Sequence, residues 1–189
     1  MGLDAHLEAE ISCLLDKQAI YEALCIYARG VDRGDWELVR STYHPDAQDD
    51  HVDFRGGVDE LIGWLEERFR GVESSSHFLG NCHIEFAGRD RALVETYFVS
   101  SRLRTGAGEN SKMPGPDGAV CRQSWGRYVD LFERRGGRWR VFSRKVVIEQ
   151  RFNTPVRDAS RTPGDYWGLR GSGDRLYLEQ AKLGPRSEC

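Results

Sequence analysis

Four consecutive stretches in the second half of the chain, HFLGNCHIEFAG, ALVETYFVSSRLR, CRQSWGRYVDLFERR and RWRVFSRKVVIEQRF, are dense in β-branched and aromatic residues. These side chains fit a pleated surface and pack across it, so the pattern predicts long strands. ERRGGRWR joins the last two, with Gly136 and Gly137 placed to supply the positive φ of a hairpin turn. The Gly- and Pro-rich TGAGENSKMPGPDGA is a loop between two long strands. A sheet of this length must bury one face against something else.

The first half supplies the cover. Within residues 7–31, Leu7, Ile11, Leu14, Leu15, Leu24, Tyr27 and Val31 recur at helical spacing, and Gly30 is placed to break the helix near its end. Asp35 can cap a short helix over WELVRSTY, which Pro45 would stop. AQDDHVDFRGG alternates as a short strand. In VDELIGWLEERFRG, Val58, Leu61, Ile62, Leu65 and Phe69 share one face of a third helix. Helices first and long strands last predict an α+β fold, a curved antiparallel sheet with N-terminal helices over its concave face and a pocket between them. The domain covers residues 1–153. Residues 154–189 are polar and Gly-rich and read as an extended C-terminal tail, with a helical turn at RLYLEQAKL. Tyr166 and Trp167 in that tail are candidates to cap the cone of a neighbouring subunit.

Several function classes fall away on charge and texture. A net charge of -3 argues against a general nucleic-acid binder, which needs cationic excess to displace counterions. No apolar run is long enough for a membrane span, and the N-terminus does not read as a secretory signal. The five cysteines are odd in number and form no CxxC, which fits reduced thiols in the cytoplasm.

Two titratable residues stand out. Asp32 follows Val31 at the end of the first helix, as a helix-end residue or as an acid held at the mouth of a cavity. His77 opens the first long strand, as an ordinary strand residue or as a base. The cluster His44, Asp46, Asp49, Asp50, His51 and Asp53 matches no compact metal motif, so no metal site is expected, and Asp50 or His51 is a candidate pocket residue. Trp64, Trp125, Trp139, Phe78, Phe98 and Tyr97 belong to the core, with one or two forming an aromatic wall. Asn81 is a further candidate near the pocket. Of Arg144 and Lys145, strand alternation points only one inward.

The run from YARGVDRGDW through YHPDAQDDHVDFRG, SSSHFLGNCHIEF and ALVETYFV to WGRYVDLFERRGGRWRVFSRKVV resembles the SnoaL-like branch of the NTF2-like superfamily, over about residues 8–150. The resemblance implies an NTF2-like cone and a homo-oligomer, dimer or trimer. Members include scytalone dehydratase, dehydrochlorinase, bile-acid 7α-dehydratase and lyases of lignin-derived diaryl compounds, which work without cofactor through an Asp and a His. Those positions match Asp32 and His77, and Tyr27 matches an auxiliary Tyr of the bile-acid enzyme. The scytalone type carries a second His on the next strand. Here that stretch is YFVSSRLR, with Ser100, Ser101 and Arg102.

The resemblance implies a cofactor-independent lyase of aromatic compound catabolism. It would eliminate water, halide or a small carbonyl fragment such as formaldehyde from a hydrophobic cyclic or aromatic substrate. His77 would be the base, Asp32 its partner and Tyr27 an auxiliary acid. Asp50, His51, Asn81, Trp125 and one of Arg144 and Lys145 would contact substrate. Alternatives on the same scaffold are an isomerase, an epoxide hydrolase, or a non-catalytic subunit like the β subunit of a ring-hydroxylating dioxygenase.

Overall fold

Helix α1 (Ala5–Arg33) starts at Asp4, whose carboxylate accepts from the His6 N–H, and ends at Gly34, whose φ of 69° makes the left-handed turn. The helix therefore runs through Gly30, where a Cβ would meet Val39 at 2.8 Å, so Gly30 is a packing residue and not the break. The computed structural model describes residues 4–105, 119–157 and 167–183. Helix α2 (Trp36–Ser41) is capped by Asp35 through the Leu38 N–H, as expected. Pro45 does not stop it. Pro45 lies in β1 (Tyr43–His51), where ladder pairing with β6 is interrupted between Tyr43 and Gln48, so its missing N–H costs no bond. The predicted single strand over 47–57 is a hairpin, with β2 (Phe54–Gly57) folding back on β1 past Val52 at φ 60°.

Helix α3 (Val58–Arg68) buries Val58, Leu61, Ile62 and Leu65, and Phe69 is buried just beyond it. The long strands are β3 (Val72–Phe86), β4 (Arg91–Arg104), β5 (Val120–Arg135) and β6 (Arg138–Pro155). Gly136 and Gly137 make the β5–β6 turn at φ 57° and 77°. The loop between β4 and β5 falls largely outside the described residues.

The sheet order is β2-β1-β6-β5-β4-β3. All neighbours are antiparallel except β1 and β6, which run parallel, so the sheet is mixed where a fully antiparallel one was expected. The cause is topological. The chain leaves β1–β2 through α3, crosses the sheet, and returns by three hairpins to lay β6 against β1. The six-stranded sheet is curved and unclosed, and α1 and α3 cover its inner face. Bulges at Leu79/Cys82, Trp125/Gly126 and Leu131/Phe132 bend it. At the second bulge a Cβ on Gly126 would lie 2.4 Å from the Val147 carbonyl oxygen and 2.8 Å from Phe98, so only Gly fits.

The core joins Ile20, Leu24, Tyr27 and Val31 of α1 to Val94, Phe98, Tyr128, Phe132 and Val141 of the sheet. Leu7, Ile11, Leu14 and Leu15, counted in the same stripe, are exposed. Among the described residues no helix is long and apolar enough to cross a membrane.

Candidate active site

Asp32 lies inside the last turn of α1 and not beyond it. A carboxylate there opposes the negative end of the helix dipole, so its position must be stabilised by other contacts. Three hydrogen bonds do this. The Ser75 hydroxyl donates to Oδ1 at 2.7 Å, the His77 backbone N–H donates to Oδ2 at 2.6 Å, and His77 Nδ1 lies 2.7 Å from Oδ1. Burial pushes the carboxyl up, but the His77 charge and the bonds from His77 and Ser75 outweigh it, and the pKa is lowered. Asp32 is therefore an anion that acts only as an acceptor. His77 Nδ1 must then carry a proton, and in the neutral ring the lone pair lies on Nε2. Nε2 has no partner among the described residues, and His77 lines a cavity.

The C-terminal segment grips the same helix end. Arg170 donates to the carbonyl oxygens of Val31 and Asp32 at 2.9 and 3.0 Å. Arg33 donates to Asp174 and to the Leu169 carbonyl, and the Gly171 N–H donates to the Arg33 carbonyl. Asp174 caps α4 (Arg175–Gln180), and the Tyr177 hydroxyl donates to Asp35. Arg170 and the Gly171 N–H satisfy last-turn carbonyls that a helix leaves open. Residues 167–183 thus pack on α1 of their own chain, and Tyr166 lies outside the described residues.

The cavity opens between α1, α3 and the inner face of the sheet. Tyr27, His51, Trp64, Phe98 and Tyr128 line it with His77. Tyr27 is buried, with its ring edge-on to Tyr43 and Tyr128, and burial followed by Asp49 and Asp130 against Arg144 raises its hydroxyl to about 12. That hydroxyl stays protonated and can donate. The His51 ring lies tilted against Trp64, 5.1 Å between ring centres, with Nδ1 3.3 Å from Asp49. Burial lowers its pKa against the pull of Asp49.

The remaining candidates separate by strand face. Arg144 is the inward one of its pair and Lys145 is exposed. Arg144 does not line the cavity, however. It is sealed beneath it in a bidentate pair with Asp130 at 2.8 and 2.6 Å, and its guanidinium sits 4.1 Å from the Tyr27 ring centre. Asp50 points outward and pairs with exposed Arg55 at 2.7 Å. Asn81 is exposed at the β3 bulge. Trp125 lies on the outer face of β5, edge-on to Phe152, because inward parity belongs to Ser124, Gly126 and Tyr128. Phe78 and Tyr97, expected in the core, are exposed on that outer face, whereas Trp139 is buried and Trp64 and Phe98 form the aromatic wall. Among the described residues no His, Cys, Asp and Glu cluster could hold a metal ion.

Sequence reasoning missed Ser75 as the third member of the Asp32 cluster. It also missed Arg68, Arg102 and Arg151 as cavity residues. Strand parity could have found part of this, since inward Phe98 makes Ser100 and Arg102 inward too.

The sequence profile described as "SnoaL-like domain" matches residues 12–145. No curated protein matches the chain. Among solved structures, a provisionally assigned scytalone dehydratase from Novosphingobium aromaticivorans is similar at 19% identity and a TM-score of 0.66, over 82% of this chain and 99% of that one. A type 3 hexachlorocyclohexane dehydrochlorinase from Novosphingobium barchaimii is similar at 16% identity and a TM-score of 0.65, over 82% and 99%. An NTF2-like protein with a cystatin-like fold from N. aromaticivorans is similar at 22% identity and a TM-score of 0.60, over 79% and 92%. At these identities the likeness establishes the fold.

Proposed function

The chain belongs to the SnoaL-like domain family, and from that premise we propose that it is a cofactor-independent lyase. It eliminates water, halide or a small carbonyl fragment such as formaldehyde from a hydrophobic cyclic or aromatic molecule, diaryl compounds included. The observation that carries this reading is the Asp32–His77 pair, with Nδ1 engaged and Nε2 left open at a cavity. The similar shape of proteins described as a dehydratase and a dehydrochlorinase supports the reaction class. An open cavity at His77 favours an enzyme over a structural subunit.

In the proposed reaction with loss of water or halide, Nε2 takes the proton next to an activating group, the C–H pair forms the new double bond, and the bond to the leaving group breaks. With loss of formaldehyde, Nε2 takes the O–H proton of a hydroxymethyl group, the C–C bond breaks as the aldehyde C=O forms, and the electron pair left on the activated carbon takes up a proton. Asp32 fixes the tautomer and stabilises the imidazolium that forms. Tyr27 donates to the departing oxygen or to a developing oxyanion. The imidazolium then returns its proton to solvent or product. Phe98 and Trp64 hold flat rings beside it. A homo-oligomer, dimer or trimer, belongs to the same proposal. Phe78, Tyr97 and Phe152 are exposed on the outer sheet face, where a second copy would cover them. Light scattering on the eluting protein tests that.

The reaction is tested by incubating EDTA-treated protein with hydroxylated and halogenated cyclic and diaryl compounds, read by mass spectrometry beside His77→Ala. A product lighter by water, hydrogen halide or formaldehyde, absent with the variant, is expected. A rearranged product of unchanged mass would indicate an isomerase, and full activity in His77→Ala would remove His77 from the mechanism.

A further inference from the structure

The mouth of the cavity has a chemistry that the base does not need. In the β4–β5 ladder Arg102 stands directly opposite Arg122, a like-charge cross-strand pair that is unfavourable by itself. The next inward pair is Ser100 opposite Ser124, and Arg151 donates to the Ser124 hydroxyl at 3.3 Å. Arg102 is set two residues from Ser100, which pairs with His77. Arg68 reaches the same cavity from α3. The vestibule outside adds Arg104.

The carboxylates near this group are engaged. Asp53 pairs with Arg68, Glu67 pairs with Arg70, and Glu73 accepts from Thr105. Arg122 is bonded to the neutral side chain of Asn153, and Arg104 to the Arg68 carbonyl. Arg102 has no carboxylate partner among the described residues, and its guanidinium lies 5.0 Å over the Phe69 ring. Burial, and then Arg68, Arg122 and Arg151, push its pKa down to about 9. A neutral apolar ligand would leave these cations facing each other in a partly closed space. An oxyanion would relieve them, and a planar carboxylate suits the guanidinium fork.

We propose that the substrate is a carboxylic acid: a ring compound whose carboxylate is held by Arg102, Arg122 and Arg151 at the mouth while its reacting carbon reaches His77. This rests on the elimination reading for the reacting carbon but not for the binding. The carboxylate contacts stay on one side of the ring and the base on the other, so the same cations fix which hydrogen meets Nε2. They also withdraw the anionic group from the developing charge at the reacting carbon.

The test is binding of 2-naphthoate and its uncharged match 2-naphthamide to the full chain, by calorimetry, in wild type and in His77→Ala. Naphthoate is expected to bind about tenfold or more tighter than the amide, the size of one charge-assisted hydrogen bond. Added salt should narrow the gap. The preference should be lost in Arg102→Gln, weakened in Arg151→Gln and kept in Arg55→Gln, which changes an exposed arginine outside the cavity. Arg102→Gln removes a repulsive contact and should melt no lower than wild type. If it does not fold, Arg122→Gln carries the same test. Equal affinity for acid and amide, no binding of naphthoate, or an unchanged preference in Arg102→Gln overturns the proposal, as does tighter binding of 2-naphthyl phosphate than of the acid. Naphthoate binding that survives beside a silent elimination screen would retire the lyase reading alone. Elimination of uncharged substrates without naphthoate preference would retire this one alone.

Discussion

Two buried acid–base pairs lie within one cone and do different work. Asp130 and Arg144 are both fully enclosed, with side-chain exposures of 0% each, and both carboxylate oxygens accept from the guanidinium. Tyr43 accepts from Arg144 and donates to Asp49, and three tyrosine rings surround the cation. Nothing in that pair is left to offer. Asp32 and His77 keep 10% and 9% exposure, and every bond they make with each other and with Ser75 uses Asp32 oxygens, Nδ1 or backbone. One ring nitrogen remains for chemistry. The saturated pair ties β5 to β6 under the Tyr27 ring, and an incompletely satisfied one marks the reactive end of the same interior.

This contrast can be broken at several points. The largest effect is expected from His77→Ala, which should lower turnover by about 10²–10⁴-fold, the size of a general base, with little change in melting temperature. Steady-state rates and thermal melts on the same sample check both halves. Asp130→Ala should do the reverse. It leaves Arg144 buried without its anion and should cost about 3–5 kcal/mol in urea unfolding, while the rate per folded molecule changes much less.

Arg170→Ala sharpens the comparison from the helix side. It removes two bonds to the last-turn carbonyls beside Asp32, so about 1–2 kcal/mol of stability should go with a several-fold drop in turnover. Rescue by Arg170→Lys should be partial, because an ammonium can reach the carbonyls but loses the flat guanidinium contact with the Phe69 ring at 4.6 Å.

The smallest effect concerns pH. The His51 pKa is lower in the fold than the ordinary value near 6.5. Its contribution to stability is therefore fully present above about pH 6.5 and declines as pH falls toward the folded value, where the unfolded chain binds the extra proton. Urea midpoints at pH 8 and pH 5.5 should differ less in His51→Gln than in wild type.

Much of the architecture was legible in the sequence. The apolar face of α3 needed no information from elsewhere, because each of its five residues contacts the core at the helical spacing. Gly136 and Gly137 announced their turn. The stripe at Leu7, Ile11, Leu14 and Leu15 was legible as a helix but not as an exposed one, since periodicity says which residues share a face and not what covers it. The positions of Asp32 and His77 came from the resemblance, and Ser75, two residues before His77 on the same face of β3, follows from strand parity only once His77 is known to face Asp32. Asn81 and Trp125 were misjudged for a simpler reason. The bulge on β3 shifts the parity at Asn81, and unbroken alternation from inward-facing Tyr128 sets Trp125 on the other side of β5. The parallel β1–β6 contact depends on the crossover through α3, which no strand encodes by itself.

The central claim is that Asp32 holds the proton on Nδ1 of His77 and leaves Nε2 as the base. Nitrogen-15 NMR of the histidine side chains at pH 8, in wild type and in Asp32→Asn, tests it directly. The claim predicts one histidine, lost in His77→Ala, with a protonated Nδ1 and an unprotonated Nε2, and predicts that this tautomer is no longer the dominant one in Asp32→Asn. A His77 ring with its proton on Nε2 in the wild type would contradict it.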